Sequence, residues 1–370
     1  MSEIKVPFQN FRAAYHELKP ELDEAYHRFM ESGWYVLGRE LSSFESEYAA
    51  YCEVDHCVGV ANGLDALHLA LRAMDCGPGD EVIVPSNTYI ATWLAVSQVG
   101  AIPISVEPDP MTYNLDPLKV EAAISSRTKC VLSVNLYGQA TDYDALLEIC
   151  DRRGIRLVID NAQAHGARYK GRRVGGIAHI ECHSFYPSKN LGAFGEAGAV
   201  STNDAELADR VRILRNYGSR VRYQNEVPGY NSRLDELQAA FLRVKLKYLD
   251  EWNQRRVEVA NHYLSQLSDL SSSLVLPAVP AWADPVWHLF VIRHPRRDAL
   301  QKHLADHGIQ TIIHYPIPPH RSGAYQTLGL RQGEFPIAEQ LASEVLSLPI
   351  GPHTGAGDVD AVCRALKAWR

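Results

Sequence analysis

From residue 57 to residue 202, short apolar runs alternate with stretches of helical spacing. Runs over 57–60, 81–85, 102–106, 130–137, 155–160 and 198–202 are bounded by turn residues and read as buried strands. Between and after them, apolar residues recur every three or four positions over 64–74, 90–99, 142–153 and 205–217. That is the spacing of helices that bury one face. Strands separated by helices pair in parallel, because a parallel connection needs a crossover. The pattern predicts an α/β fold built on a mostly parallel sheet with helices on both faces.

Farther on, the spacing predicts one long helix over 234–267, a proline-rich turn over 276–285 and a strand over 286–294. A length of 370 residues suits two cores better than one. The expected division is a large α/β domain over 1–250 and a smaller α+β domain over 251–370, with N-terminal helical segments packing against the smaller one.

Composition narrows the function. A formal net charge of −7 argues against a general nucleic-acid surface while leaving room for a local basic pocket. No run approaches the ~20 apolar residues that span a bilayer, and the first residues lack a signal-peptide core. The seven cysteines are scattered, odd in number and never in a C-x-x-C arrangement, which speaks against a disulfide framework or a structural zinc site. A cytoplasmic setting is the expectation.

The candidate chemistry begins at Asp160, which ends an apolar strand where open α/β sheets place their ligands. A carboxylate there needs a cation or hydrogen bonds. It could cap a helix or join an ion pair. It could also hold a protonated pyridine nitrogen, which pyridoxal phosphate (PLP) requires to act as an electron sink. Lys189 lies in a turn flanked by Phe185, Tyr186, Pro187 and Leu191, before a glycine-bearing loop. A lysine on a turn is ordinarily a solvated cation, but apolar neighbours would lower its pKa towards a nucleophilic amine.

Ala61-Asn62-Gly63 follows a strand and opens a helix, with Asn62 and Asp65 spaced like a capping box. A helix start entered through glycine suits a phosphate, and it also opens many structural helices. Ser184 could add a hydroxyl. Tyr89 or Trp93, just after another strand, could stack on a ring or simply pack in the core. His179, Glu181 and His183 would share one face of a strand. A metal site is the sharper reading of that trio and a polar packed face the plainer one; no metal is expected.

Long stretches carry a family resemblance. Asp160-Asn-Ala-Gln-Ala-His-Gly, Ser184-Phe-Tyr-Pro-Ser-Lys-Asn and Gly229-Tyr-Asn-Ser-Arg-Leu-Asp, with SGWYVLG, ANGLDALHLAL, VPSNTYIAT and HYPIPPH, resemble the DegT/DnrJ/EryC1/StrS sugar aminotransferases over essentially the whole chain. Within that family the sequence is most similar to enzymes that aminate C3 of dTDP-3-keto-6-deoxyhexoses. The resemblance implies the fold-type I architecture of PLP-dependent aminotransferases and a homodimer with active sites at the subunit interface.

It further implies that Lys189 forms the Schiff base with PLP and is the catalytic residue. Asp160 would hold the pyridine nitrogen, Gln163 the phenolic oxygen and Tyr89 the ring face. Gly63, Leu64 and Ser184 would take the phosphate, with Asn231 reaching over from the partner subunit. Tyr186, Arg220, His314, Tyr315 and His320 are the candidate sugar-nucleotide contacts.

The expected reaction is a ping-pong transamination from L-glutamate to a dTDP-keto-sugar, giving a 3-amino-3,6-dideoxyhexose, with Lys189 as base and then acid. Rivals are a C4 aminotransferase, a PLP-dependent sugar dehydratase (in which histidine replaces the lysine) and a silent regulatory homologue. A nicotinamide oxidoreductase would need a G-x-G-x-x-G after an early strand, and none occurs.

Overall fold

The computed structural model describes residues 4–270 and 273–369. Its centre is a seven-stranded sheet of β1 (His56–Val60), β2 (Glu81–Pro85), β3 (Ile102–Val106), β4 (Thr128–Val134), β5 (Arg156–Asp160), β6 (Ile180–Ser184) and β7 (Gly198–Thr202), in the order β1-β7-β6-β5-β4-β2-β3. Neighbours from β6 through β3 are parallel. β7 runs antiparallel to both β1 and β6. The run over 198–202 was expected within the parallel pattern. The link over 185–197 carries no helix to act as a crossover, so β7 returns in the opposite direction.

Alternation along the strands feeds two cores. Val82, Val84, Leu132 and Val158 face one, with Leu67 and Trp93 from the helices on that side. Ile83, Val131, Leu157 and Ile159 face the other, against Tyr143 and Leu146. A sheet covered on both faces explains why these strands read as continuous apolar runs. A further core gathers Val259, Tyr263, Phe290, Leu300, Leu346 and Val362 around a pair of antiparallel strands, Phe290–Arg293 and Val345–Leu348.

The N-terminal helix Phe11–Ser32 meets both parts of the chain, through Glu17 to Arg255 and His353 and through its buried face. It buries Leu18, Leu22 and Ala25 against Ala240, Val244 and Trp252; from the N-terminal segment, Val6 is what joins the C-terminal core. The helix expected over 234–267 is two helices, Glu236–Leu246 and Leu249–Leu267. They meet at a tight turn in which Lys247 N–H reaches Val244 O and Tyr248 N–H reaches Lys245 O. Spacing alone could not show this break, because Leu242 and Leu249 both serve one cluster across it.

Candidate active site

A cavity of about 670 Å³ opens at the carboxyl ends of the parallel strands, where β4 and β5 end beside the start of the helix Gly63–Ala73. Gly63, Leu64, Tyr89, Asp160, Gln163, Ser184, Tyr186, Lys189, His314 and Tyr315 line it. The sheet register explains part of this convergence. Asp160 is opposite Val134 on one side and Cys182 on the other, so adjacent strand ends deliver their loops to one place.

Asp160 is buried, and its Oδ1 accepts the N–H of Ala162 at 2.9 Å. Burial raises its pKa, opposed by that hydrogen bond and by the Lys189 charge. Burial also brings the Lys189 amine down to about 8, with Asp160 acting in the other direction. Gln163 is held at both ends: its Oε1 accepts from Tyr137 N–H at 2.6 Å and its Nε2 donates to the Tyr315 hydroxyl at 3.0 Å. Tyr89 leaves 57% of its surface open, with its ring 5.3 Å from that of Tyr315.

At the helix start, Asn62 Oδ1 accepts the N–H of Asp65 at 2.9 Å, half of the expected capping box. Asp65 does not return the bond to the Asn62 N–H, because its Oδ2 accepts from the Ser232 hydroxyl instead. The Gly63 and Leu64 N–H groups, which a helix start leaves without intrahelical partners, lie along the cavity wall. A Cβ on residue 63 would stand 2.4 Å from Ser184 Cβ, so only glycine lets that wall close.

Three residues named from the sequence lie outside this protomer's cavity lining, one of them, Asn231, expected to serve the partner subunit. Arg220 is exposed on a hairpin and paired with Asp209 and Glu226. Asn231 is exposed and bridges to Asn216. His320 is buried, with Nε2 3.1 Å from Glu339 and its ring against Phe335, so it is a packed residue outside the cavity lining. His314 has Nδ1 2.8 Å from Ser347 Oγ, and burial with the nearby Lys189 charge lowers its pKa to about 4.

Among the lining residues that escaped the sequence reading are two titratable ones, Glu196 in the glycine loop and His288. His288 sits in an otherwise apolar run, Val286-Trp287-His288-Leu289-Phe290, and that one polar residue was the available signal.

The polar face of β6 also has an explanation. Glu181 is fully buried and accepts from the N–H groups of Gly175, Ile177 and Ala178 at 2.7–2.9 Å, from Asn161 Nδ2 and from the Tyr143 hydroxyl. His183 lies between Tyr48 and Ser201, and His179 Nδ1 accepts the Leu157 N–H.

Comparison with known proteins matches the DegT/DnrJ/EryC1/StrS aminotransferase family model to residues 16–367. The erythromycin biosynthesis sensory transduction protein EryC1 of Saccharopolyspora erythraea is 56% identical, over 99% of this chain and 100% of that protein. The dTDP-3-amino-3,4,6-trideoxy-alpha-D-glucose transaminase of Streptomyces venezuelae is 55% identical, over 99% of this chain and 96% of its own. The crystal structure of S. venezuelae DesV in complex with a ketimine intermediate superposes with a TM-score of 0.97 at 54% identity, covering 100% of this chain and 99% of that one.

Proposed function

The chain belongs to the DegT/DnrJ/EryC1/StrS aminotransferase family, and from that premise we propose that it aminates C3 of a dTDP-3-keto-6-deoxyhexose with PLP as cofactor and L-glutamate as amino donor. The observation that carries the reading is the convergence of Lys189 and Asp160 on one cavity, each altering the other's proton affinity. The likeness to the S. venezuelae dTDP-3-amino-3,4,6-trideoxy-alpha-D-glucose transaminase supports amination at C3 of a dTDP sugar.

The residues fit PLP. Free N–H groups at Gly63 and Leu64 with the Ser184 hydroxyl suit its phosphate, and buried Asp160 suits a protonated ring nitrogen. The Gln163 amide suits the ring oxygen, and Tyr89 offers an open face for stacking. When bound, PLP supplies an electron sink for the carbon that gains or loses the amino group.

Lys189 then moves the proton: its amine takes one from the donor carbon and returns one to the sugar carbon. A pKa near 8 suits both tasks, since free base and ammonium are both accessible near neutrality. Gln163 keeps its orientation through Tyr137 and Tyr315. Tyr186, His314 and Tyr315 face the space the sugar would occupy.

The same reading makes the working unit a homodimer in the cytoplasm. Asn231 of the partner subunit would complete the phosphate site; the exposure of this residue in its own protomer supports this. The purified protein should turn yellow with PLP and lose that band on addition of L-glutamate. It should then aminate 3-keto but not 4-keto dTDP-6-deoxyhexoses. A protein that stays colourless, a preference for the 4-keto sugar, or a dehydrated product would overturn the assignment.

A further inference from the structure

His288 lines the cavity, yet the reading above gives it no task. Its neighbours fix its tautomer. Asn190 Nδ2 donates to the main-chain oxygen of Val286 at 3.0 Å, and a carbonyl can only accept, so the Asn190 amide has one orientation. The same Nδ2 reaches Asn253 Oδ1 at 2.8 Å, and Asn253 Nδ2 donates in turn to the His165 carbonyl at 2.8 Å. Asn190 Oδ1 therefore faces His288 Nδ1, 3.1 Å away, as an acceptor. His288 Nδ1 must carry the proton. In a neutral ring Nε2 is then a lone pair, and it takes part in no hydrogen bond among the described residues, Lys189 included, in this arrangement of the cavity.

The ring is neutral. It is buried, and burial first, then the positive charges of Lys189 and Arg256, push its pKa well down. Arg256 Nη1 approaches the His288 carbonyl at 3.4 Å, on the main-chain side of the residue. His165 and His314 also sense Lys189. His165 Nδ1, however, accepts the Leu191 N–H, and His314 Nδ1 meets a hydroxyl that can either donate or accept. His288 therefore has a fixed tautomer with its acceptor left for the cavity.

We propose that His288 is a positioning residue: its Nε2 accepts a hydrogen bond from the Lys189 amine and holds that group in place when it carries a proton. Asn190, adjacent to Lys189 in the chain, ties the imidazole to the lysine loop. The inference rests on the transaminase reading for its catalytic consequence but not for its chemistry.

The test uses two isosteres. His288→Asn keeps a donor where Nδ1 lies and removes the cavity acceptor. His288→Gln puts an amide oxygen where Nε2 lies and gives up the bond to Asn190. In the full-length, cofactor-free protein, competitive labelling of amines across a pH series reads the apparent pKa of Lys189 by mass spectrometry. His288→Asn is expected to lower it by about one unit, the worth of one hydrogen bond to an ammonium, with His288→Gln close to the native value. In the holoenzyme, kcat should fall about tenfold in His288→Asn with KM little changed, and recover in part in His288→Gln.

Native-like labelling and kcat in His288→Asn would overturn the proposal. So would equal losses in both variants with unshifted labelling, which would make the ring packing alone. If the native protein aminates no dTDP-keto-sugar, the functional reading fails, while the labelling curves still decide for or against His288.

Discussion

Glu181 accepts a hydrogen bond from Asn161, the residue that follows Asp160. The buried strand-end carboxylate thus has its turn held from below by a second buried carboxylate. Asn161 Oδ1 also receives Asn135 Nδ2, and the Asn135 N–H reaches the Asp160 carbonyl at 3.0 Å. The ends of β4 and β5 are locked together by one network. Glu181→Gln would set an amide N–H against a cluster of donors. Because hydrogen bonds to charged groups are each worth about 1.5–3 kcal/mol, we expect stability to fall by ~3 kcal/mol in urea unfolding, with weaker PLP binding from the loosened turn.

Gly63→Ala tests the phosphate wall. Its Cβ would meet Ser184 at 2.4 Å, forcing either the helix start or Ser184 out of position. PLP affinity should fall by tenfold or more, while the far-UV circular dichroism stays native. Equilibrium dialysis with PLP measures it, and an unchanged Kd would exclude this wall as the phosphate site.

The Lys189–Asp160 pair gives a pH prediction whose sign is fixed. Burial lowers the Lys189 pKa to about 8, and the Asp160 charge raises it. In cofactor-free protein the reactive free amine should therefore appear between pH 7 and 9, not near the ordinary lysine value of about 10.4. Asp160→Asn removes the raising charge, so the midpoint should move lower and adduct formation with PLP at pH 7 should quicken. Turnover should nevertheless collapse, because the ring nitrogen loses the group that keeps it protonated. Absorbance titration and steady-state kinetics separate the two effects.

Lys189→Ala should leave PLP bound without a covalent link. Borohydride reduction followed by peptide mass spectrometry should mark Lys189 in the native protein and nothing in the variant, and transamination should fall below detection. A reducible label elsewhere would move the catalytic role to another lysine.

Tyr315→Phe removes the acceptor of the Gln163 amide and a hydroxyl on the sugar side of the cavity. The Tyr315 pKa is raised by burial, so its hydroxyl stays protonated and able to donate at working pH. We expect kcat/KM for the sugar nucleotide to fall about tenfold, near the loss of one hydrogen bond of ~1.4 kcal/mol. PLP affinity should change only a few-fold. A large loss of PLP with unchanged sugar kinetics would reverse the two roles.

By itself the sequence determined six of the seven sheet strands, the helices Gly63–Ala73, Ala91–Gln98 and Tyr143–Arg153 between them, the strand-end Asp160 and the Lys189 turn. Each is written in local spacing, in apolar runs closed by turn residues. Alternation within β2, β4 and β5 even carries the division of one sheet between two cores. Only the tertiary structure decided what those residues meet. The antiparallel return of β7 depends on a link without a helix. The break at Lys247 and Tyr248 falls inside an unbroken helical pattern. The polar face of β6 resolves into hydrogen bonds whose partners come from elsewhere along the chain, such as Tyr48 for His183 and Asn161 for Glu181. His320 read as a site residue from its motif and is spent on Glu339, while His288 read as a strand residue and faces the cavity. The physical reason is common to all of these. A side chain's period shows which face it takes, but its hydrogen-bond partner and its solvation are set by residues distant in sequence that only folding brings within reach.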